Sequence, residues 1–233
     1  MIAAGHQPNY LPWLGFFDKM SKCNVFIIED NVQYEQQGFQ NRNKVKTFMG
    51  VKWLTVPVEH EGKPVRMDEV KVANKAEKNW ASRHWLTVKY NYCKAPYWSD
   101  YADFFEQTYS QMWDRLIDLN MHMIYGVKKF LKIETPIVLA SSLNVSGKKS
   151  DFVLEQCKTL GATTHLSGTG GRDYLDLESF SRAGIKVVFQ DFRHPVYQQL
   201  HGDFVPDLSA VDYLFCTGAR DWGIMVNRQG RVE

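Results

Sequence analysis

Between Asn24 and Glu29 the chain reads Asn-Val-Phe-Ile-Ile-Glu, and this β-branched and aromatic run narrows the possible folds more than any other segment. An unbroken apolar strand has to be covered on both faces, which is the situation of a parallel strand inside an α/β sheet. Just before it, Ile2 to Gly5 is a short apolar opening, a His-Gln-Pro-Asn loop follows, and Trp13 to Met20 carries apolar residues at helical spacing. Strand, loop, helix and strand in that order predict the first crossover unit of an α/β protein. Asp30, at the end of the second strand, is then expected near the first loop, because ligands of open α/β sheets gather at the carboxyl ends of strands.

Asn43 to Thr47 and Lys52 to Val56, joined through Met49-Gly50, alternate like an antiparallel hairpin, and Val65 to Val72 reads as a further strand. From Lys75 to Leu131 a long Trp- and Tyr-rich helical pattern takes over, broken near Ala95-Pro96 because proline cannot continue a helix. Ile137 to Ala140, Thr163 to Leu166 and Lys186 to Phe189 return as short strands, with a helix from Lys149 to Leu160 that stops at Gly161. The predicted fold is α/β: a mixed, largely parallel central sheet with flanking helices and an aromatic-rich all-helical subregion at about 75–133, all within one domain spanning 1–233. The tail after Trp222 is weakly patterned and is expected to be mobile.

The chain has 233 residues, 44% of them hydrophobic, enough for one sizeable core, so disorder and fibrous structure are excluded. Lysine and arginine total 28 against 26 acidic residues, a formal charge of +2, which argues against a dedicated nucleic-acid binder. Cys23, Cys93, Cys157 and Cys216 are too far apart in sequence for a zinc or dithiol motif, so reduced thiols and a cytoplasmic location are expected. Met1 to His6 lacks the pattern of a secretory signal, and no apolar run is long enough to cross a bilayer, so no membrane insertion is expected.

Four constellations could carry chemistry. The densest is His6-Gln7-Pro8-Asn9-Tyr10-Leu11-Pro12-Trp13, where two prolines stiffen a loop at a helix start. With an ordinary pKa of about 6.5, His6 can serve as general base or donate to a phosphate, while Gln7, Asn9, Tyr10 and Trp13 offer binding groups. The bland reading is a structural loop. Asp30-Asn31 through Asn41-Arg42-Asn43-Lys44 follows, with Arg42 able to clamp an anion, Asn41 beside it, and Asp30 able to orient His6; an exposed turn is the competing reading. Third, Ser167-Gly168-Thr169-Gly170-Gly171-Arg172 follows a strand and could form an anion-binding nest, yet it matches neither the Walker pattern nor the dinucleotide fingerprint. Fourth, Arg193-His194-Pro195-Val196-Tyr197-Gln198-Gln199 is a second stiffened His loop, which suggests that His194, Tyr197 and Gln199 share a pocket with His6. No close His and carboxylate pairing is present, so no metal site is expected. The aromatic stripe from Trp80 to Trp113 reads as helix packing, although some rings could line a pocket.

His6 to Gly15, Asn41-Arg42-Asn43, Trp53 to Val58, Ala95-Pro96-Tyr97, Leu166-Ser167-Gly168, and His194 to Gln199 with Leu208 to Asp212 resemble, in order, the WbqC-like protein family. The resemblance runs to about Gly218, and its first block is the most specific. It implies a pathway more than a reaction: such proteins occur chiefly in gene clusters for O-antigen and other bacterial surface polysaccharides. The reaction most consistent with it is aminoacyl or acyl transfer to the amine of an amino sugar, itself nucleotide-linked. His6 would then be the first candidate base and His194 the second. Asp30 would orient the base, the Ser167 to Gly171 amides would hold a phosphate or oxyanion, and Arg42 and Arg172 would anchor the charged substrate. The co-substrate would be an activated acyl or aminoacyl donor. An alternative is a nucleotide-activating transferase or ligase using a nucleoside triphosphate, similar in outline to the nucleotidylyltransferase architecture, although Leu11-Pro12-Trp13 stands where those enzymes carry a second His. A non-catalytic sugar-binding or scaffold subunit is the third reading, and homo-oligomerisation is left open.

Overall fold

The computed structural model describes residues 1–60, 62–220 and 222–223. The tail beyond Gly223, for which mobility is expected from sequence, lies outside the described residues. The opening crossover consists of β1 (Ile2–His6), α1 (Leu14–Ser21) and β2 (Val25–Ile28). A hairpin of β3 (Arg42–Thr47) and β4 (Gly50–Thr55) follows, then the helices α2 (Trp80–Tyr92), α3 (Trp98–Ser110) and α4 (Leu116–Phe130). The chain returns to the sheet through β5 (Ile137–Leu139), α5 (Ser150–Thr159), β6 (Thr164–Ser167), α6 (Leu177–Arg182) and β7 (Lys186–Phe189), and ends in α7 (Ala210–Thr217).

The central sheet has the order β5-β2-β1-β6-β7, and every pairing in it is parallel. The antiparallel component is confined to β3 and β4, which form a separate two-stranded sheet. Alternation along the strands feeds two cores. Ala4, Phe26, Ile28 and Leu166 pack with α1 and the helical region, while Ala3, Val25, Cys157 and Phe180 pack beneath α5 and α6. Both faces of the sheet are therefore covered, as the Val25–Ile28 run requires.

Two sequence expectations need correction. Val65 to Val72 is not a strand: Met67–Glu69 forms a 3-10 turn. Its backbone amides are shared among several segments, Met67 N with Val32 O at 2.9 Å and Val72 N with Asp114 O at 2.9 Å, so no single neighbour forms a ladder. The helical region begins at Trp80 rather than Lys75. It also breaks twice, since Ser110 ends one helix and Leu116 starts the next.

The chain lays β2 and β5 on one side of β1 and later β6 and β7 on the other. Strand order thus reverses between β1 and β6, and an open α/β sheet has its natural crevice at that reversal, beyond the carboxyl ends of the strands.

Candidate functional site

β1 runs directly into the His6–Trp13 loop, and buried amides hold that loop. Asn43 Nδ2 donates to Leu11 O at 2.7 Å, and Asn120 Nδ2 donates to Pro8 O at 2.8 Å and to Gln40 O at 2.7 Å. Leu11 needs such support, because its φ of 44° lies in the left-handed region that a branched residue rarely adopts. The loop delivers His6 and Gln7 to a cavity of about 560 Å³ at the β1–β6 reversal. Glu29 from the end of β2, Lys19 from α1, His165 of β6, the Ser167–Gly171 turn, Phe152 and Tyr174 also line it. Next to it lies a side pocket of about 220 Å³, bordered by Trp13, Gln190 and Phe192, which shares His6, Lys19, Gly168 and Gly170 with the main cavity.

Lys19 is the hinge of this arrangement. It is 4% exposed, and its Nζ donates to Gly5 O at 2.8 Å. Burial pulls the ammonium down to about 8, against the opposing pull of Cys23 and Glu29. Glu29 shows the reverse: burial pushes its carboxyl up to about 7, although Gln156 donates to it at 3.3 Å and Lys19 stands near. Gly5 fits between the two, and a Cβ there would come within 2.6 Å of Glu29 Oε1. The site therefore holds an acid–base group poised near neutrality beside a dry cation, a combination typical of functional clefts.

His6 is not suited to the general-base role. Its Nδ1 donates to Gln7 O at 2.9 Å and its ring packs edge-on to Phe16, leaving Nε2 as an acceptor. Burial and then the charge of Lys19 push its pKa down to about 3, so it remains neutral and is too weak a base to hold an abstracted proton. His165 stands 3.6 Å from Cys157, but burial lowers the imidazole to about 4 and raises the thiol to about 12. Both stay neutral, so this is a packed pair and not an activated nucleophile.

Asp30 does not orient His6. Ser141 occupies both of its oxygens, N to Oδ1 at 2.9 Å and Oγ to Oδ2 at 2.6 Å, and this fixes the turn after β5. His194 lines neither cavity: its Nδ1 donates to Pro195 O and its ring lies among Phe192, Tyr197 and Phe204. The expected shared pocket with His6 is absent among the described residues, because Phe192 and Trp13 stand edge to face at 5.2 Å on the side-pocket border. Tyr197 donates to buried Asp212 at 2.8 Å, and Gln199 accepts from buried Lys46 at 3.2 Å; both belong to a structural network. Tyr10 is fully buried against His84 and Tyr109, Asn9 is 4% exposed, and Asn41 donates to Val56 O at 2.9 Å. Arg42 lies over Trp53 at 4.6 Å and Arg172 over Phe189 at 4.2 Å, and neither lines the cavity. Of the anticipated groups, His6, Gln7, Ser167, Gly168, Gly170 and Gly171 meet in the main cavity, and Trp13 joins at the side.

Sequence reasoning missed Lys19 and Glu29, although both leave a signal. Lys19 occupies a core position of α1 among Phe16, Phe17 and Met20, and Glu29 closes an all-apolar strand. A charge in either place has to be buried for a reason.

Two glycines shape the walls. A Cβ on Gly171 would fall 2.0 Å from Ser167 Oγ, and one on Gly15 would fall 2.4 Å from the Trp13 ring. Gly15→Ala is expected to displace Trp13 and to destabilise the fold by about 1–3 kcal/mol, the usual penalty of overpacking. Urea unfolding followed by tryptophan fluorescence checks this, and an unchanged midpoint and emission would contradict it.

A larger cleft of about 830 Å³ lies against the helical region, lined in part by Lys71, Lys75, Lys78 and Arg115. It lies away from the strand ends and is lined by none of Lys19, Glu29, His6 and His165, so chemistry and topology favour the smaller cavity. No group of three or more His, Cys, Asp or Glu among the described residues is arranged to hold a metal ion. No helix among them is long and apolar enough to cross a membrane.

The model of the WbqC-like protein family matches residues 7–223. A Mycobacterium tuberculosis protein named "Uncharacterized protein Rv1507c" is 31% identical over 215 residues, covering 91% of this chain and 92% of its own. No solved structure matches.

Proposed function

The chain belongs to the WbqC-like protein family, and from that premise we propose that it is a transferase that moves an acyl or aminoacyl group onto the amine of a nucleotide-linked amino sugar. The link to surface polysaccharides comes from the family resemblance. The observation that carries the reaction type is the Glu29 carboxyl, raised to about 7 beside buried Lys19 at the strand-order reversal.

An amine attacks a carbonyl only through its free lone pair, and it must lose a proton as the C–N bond forms. Glu29 has the proton affinity to accept that proton near neutral pH. The amine nitrogen attacks the carbonyl carbon of an activated donor such as a thioester, the N–H proton passes to Glu29, and the carbonyl oxygen becomes a tetrahedral oxyanion. When the C–N double-bond character of the new amide is established, the thiolate leaves. Lys19 supplies the positive charge for the oxyanion or for a substrate phosphate, and its dry surroundings strengthen that attraction. His6 Nε2, held neutral, accepts a hydrogen bond from a sugar hydroxyl or from the attacking amine. The side pocket, about 220 Å³ against about 560 Å³ for the main cavity, suits a small acyl or aminoacyl unit.

Thermal denaturation with added ligands tests this reading. A nucleotide-linked amino sugar at about 100 times its dissociation constant stabilises by about 2.7 kcal/mol, and Lys19→Met is expected to abolish the effect while remaining folded. A shift with ATP or CTP alone would favour the nucleotide-activating reading instead. No shift with either class, or with acyl-CoA, would remove the transferase proposal.

A further inference from the structure

The β3–β4 hairpin ends in the most exposed large apolar side chain among the described residues, Met49 at 85%, next to Phe48 at 73%. Nothing in the candidate site uses this apex. A water-exposed turn would usually carry polar residues, and this one presents two large apolar groups outward.

The charge around it is one-sided. Residues 36–58 contain Arg42, Lys44, Lys46 and Lys52 and no acidic residue, although the chain as a whole is close to balanced. Lys46 turns inward to Gln199 and the carbonyls of Gly202 and Asp203. Lys44 and Lys52 reach the surface, and Arg42 is half-buried, one guanidinium nitrogen donating to Gln37 O. Arg42 and Lys44 flank the half-exposed ring of Trp53, at 4.6 and 5.9 Å from its centroid, and Lys52 reaches Thr87 at 3.4 Å. Lys44 pairs with Trp53 in the ladder, so this cation–aromatic layer lies about four residues, or about 13 Å, behind the apex.

The N–H groups of the turn already have partners. Phe48 N donates to Asn91 Oδ1 at 3.0 Å, Met49 N donates to Thr47 Oγ1 at 3.2 Å, and that hydroxyl donates to Gly50 O at 2.7 Å. An apex with these N–H groups already paired loses less on entering an apolar medium than one with free donors.

An apolar tip, an aromatic ring set behind it and cations at the same level match the layers of a lipid surface: acyl chains, interface and headgroup phosphates. We propose that the β3–β4 tip docks this protein on an anionic bilayer, with Phe48 and Met49 entering the outer acyl region and Arg42, Lys44 and Lys52 facing the phosphates. The attachment is peripheral. Two copies meeting tip to tip would instead bring like charges together, and a nucleic acid would leave the apex unused.

The test is co-sedimentation of the whole chain with vesicles of phosphatidylcholine alone or mixed with phosphatidylglycerol, at low and high salt. Binding is expected only to the mixed vesicles and to weaken with salt. Phe48→Ser with Met49→Ser is expected to weaken it about tenfold or more, and Lys44→Glu with Lys52→Glu to abolish it. All four side chains reach the surface, and circular dichroism confirms that the variants fold. Equal binding by wild type and the tip variant, or none by wild type, overturns the proposal. So does sedimentation velocity showing a dimer that the tip variant dissociates, or salt-sensitive binding to single-stranded DNA in place of vesicles.

Discussion

Replacing Glu29 with glutamine is expected to reduce transfer to the amine by about a hundredfold to ten-thousandfold, the usual contribution of a positioned general base. The exchange keeps size and shape, and the new amide oxygen can still accept from Gln156, so the fold has no reason to change. Stability should move the other way. Burial raises this carboxyl from an ordinary 4.5 to about 7, which corresponds to at most about 3 kcal/mol against the ionised form at about 1.4 kcal/mol per pH unit. Partial access of water reduces that to about 1–2 kcal/mol. A raised carboxyl favours the folded state fully below 4.5 and loses that advantage as pH rises through 7. Glu29→Gln should therefore be more stable than wild type at pH 8, by about 3–6 °C in melting temperature, and indistinguishable at pH 4. A variant that keeps its activity would move the base elsewhere. One that loses activity without gaining stability at pH 8 would mean that the carboxyl is not held in a dry environment.

Acidification is expected to unfold the protein well before ordinary carboxylates titrate. Burial pushes His6 down to about 3, and His84 and His165 down to about 4, with the charges of Lys19 and Arg83 adding to the effect. Below about pH 6.5 the unfolded chain takes up protons at all three while the folded chain does not, so stability present above 6.5 is lost as pH falls toward 4. Glu29 opposes this between 4.5 and 7, because the folded state keeps a proton that the unfolded state releases. Asp18 and Asp212, whose carboxyls burial also raises, oppose it in the same sense, and His122, lowered by burial, adds to it. This leaves an excess of about one to two protons on the unfolded chain near pH 5.5, or on the order of 1–3 kcal/mol per pH unit. A domain with an ordinary 5–15 kcal/mol (about that range) cannot sustain such a slope for many units. Urea midpoints measured from pH 8 to 4 check this. His84→Gln should remove about one proton from the slope, and a flat profile would show that these rings are more hydrated than their packing implies.

The parallel sheet was legible because an all-apolar strand admits few alternatives, and Val25–Ile28 indeed lies inside it. Helix α7 was not: Ala210 to Phe215 is buried all round, including Asp212, so no apolar stripe marks it, and Ser209 is its one local sign through a bond to Val211 N. The site was half legible. His6, Gln7 and the Ser167–Gly171 turn stand out as polar groups on stiff loops. Their partners do not, because proximity of Lys19 to Gly5 and of Glu29 to Gln156 is a product of the crossover and α5, which no local pattern records. Tyr10 and Asn41 misled for the opposite reason: a polar residue in a stiff loop can equally be there to hold the loop.

The position of β1 has a further consequence for how the protein is made. Ala3 pairs with Val25 on one side and with His165 on the other, so this strand gains its second neighbour only after about 160 further residues have been translated. At about 5–20 residues per second that delay is about ten to thirty seconds. Throughout it an apolar strand edge stays open to wrong partners, and a nascent chain of this kind has reason to meet a chaperone before its pocket exists.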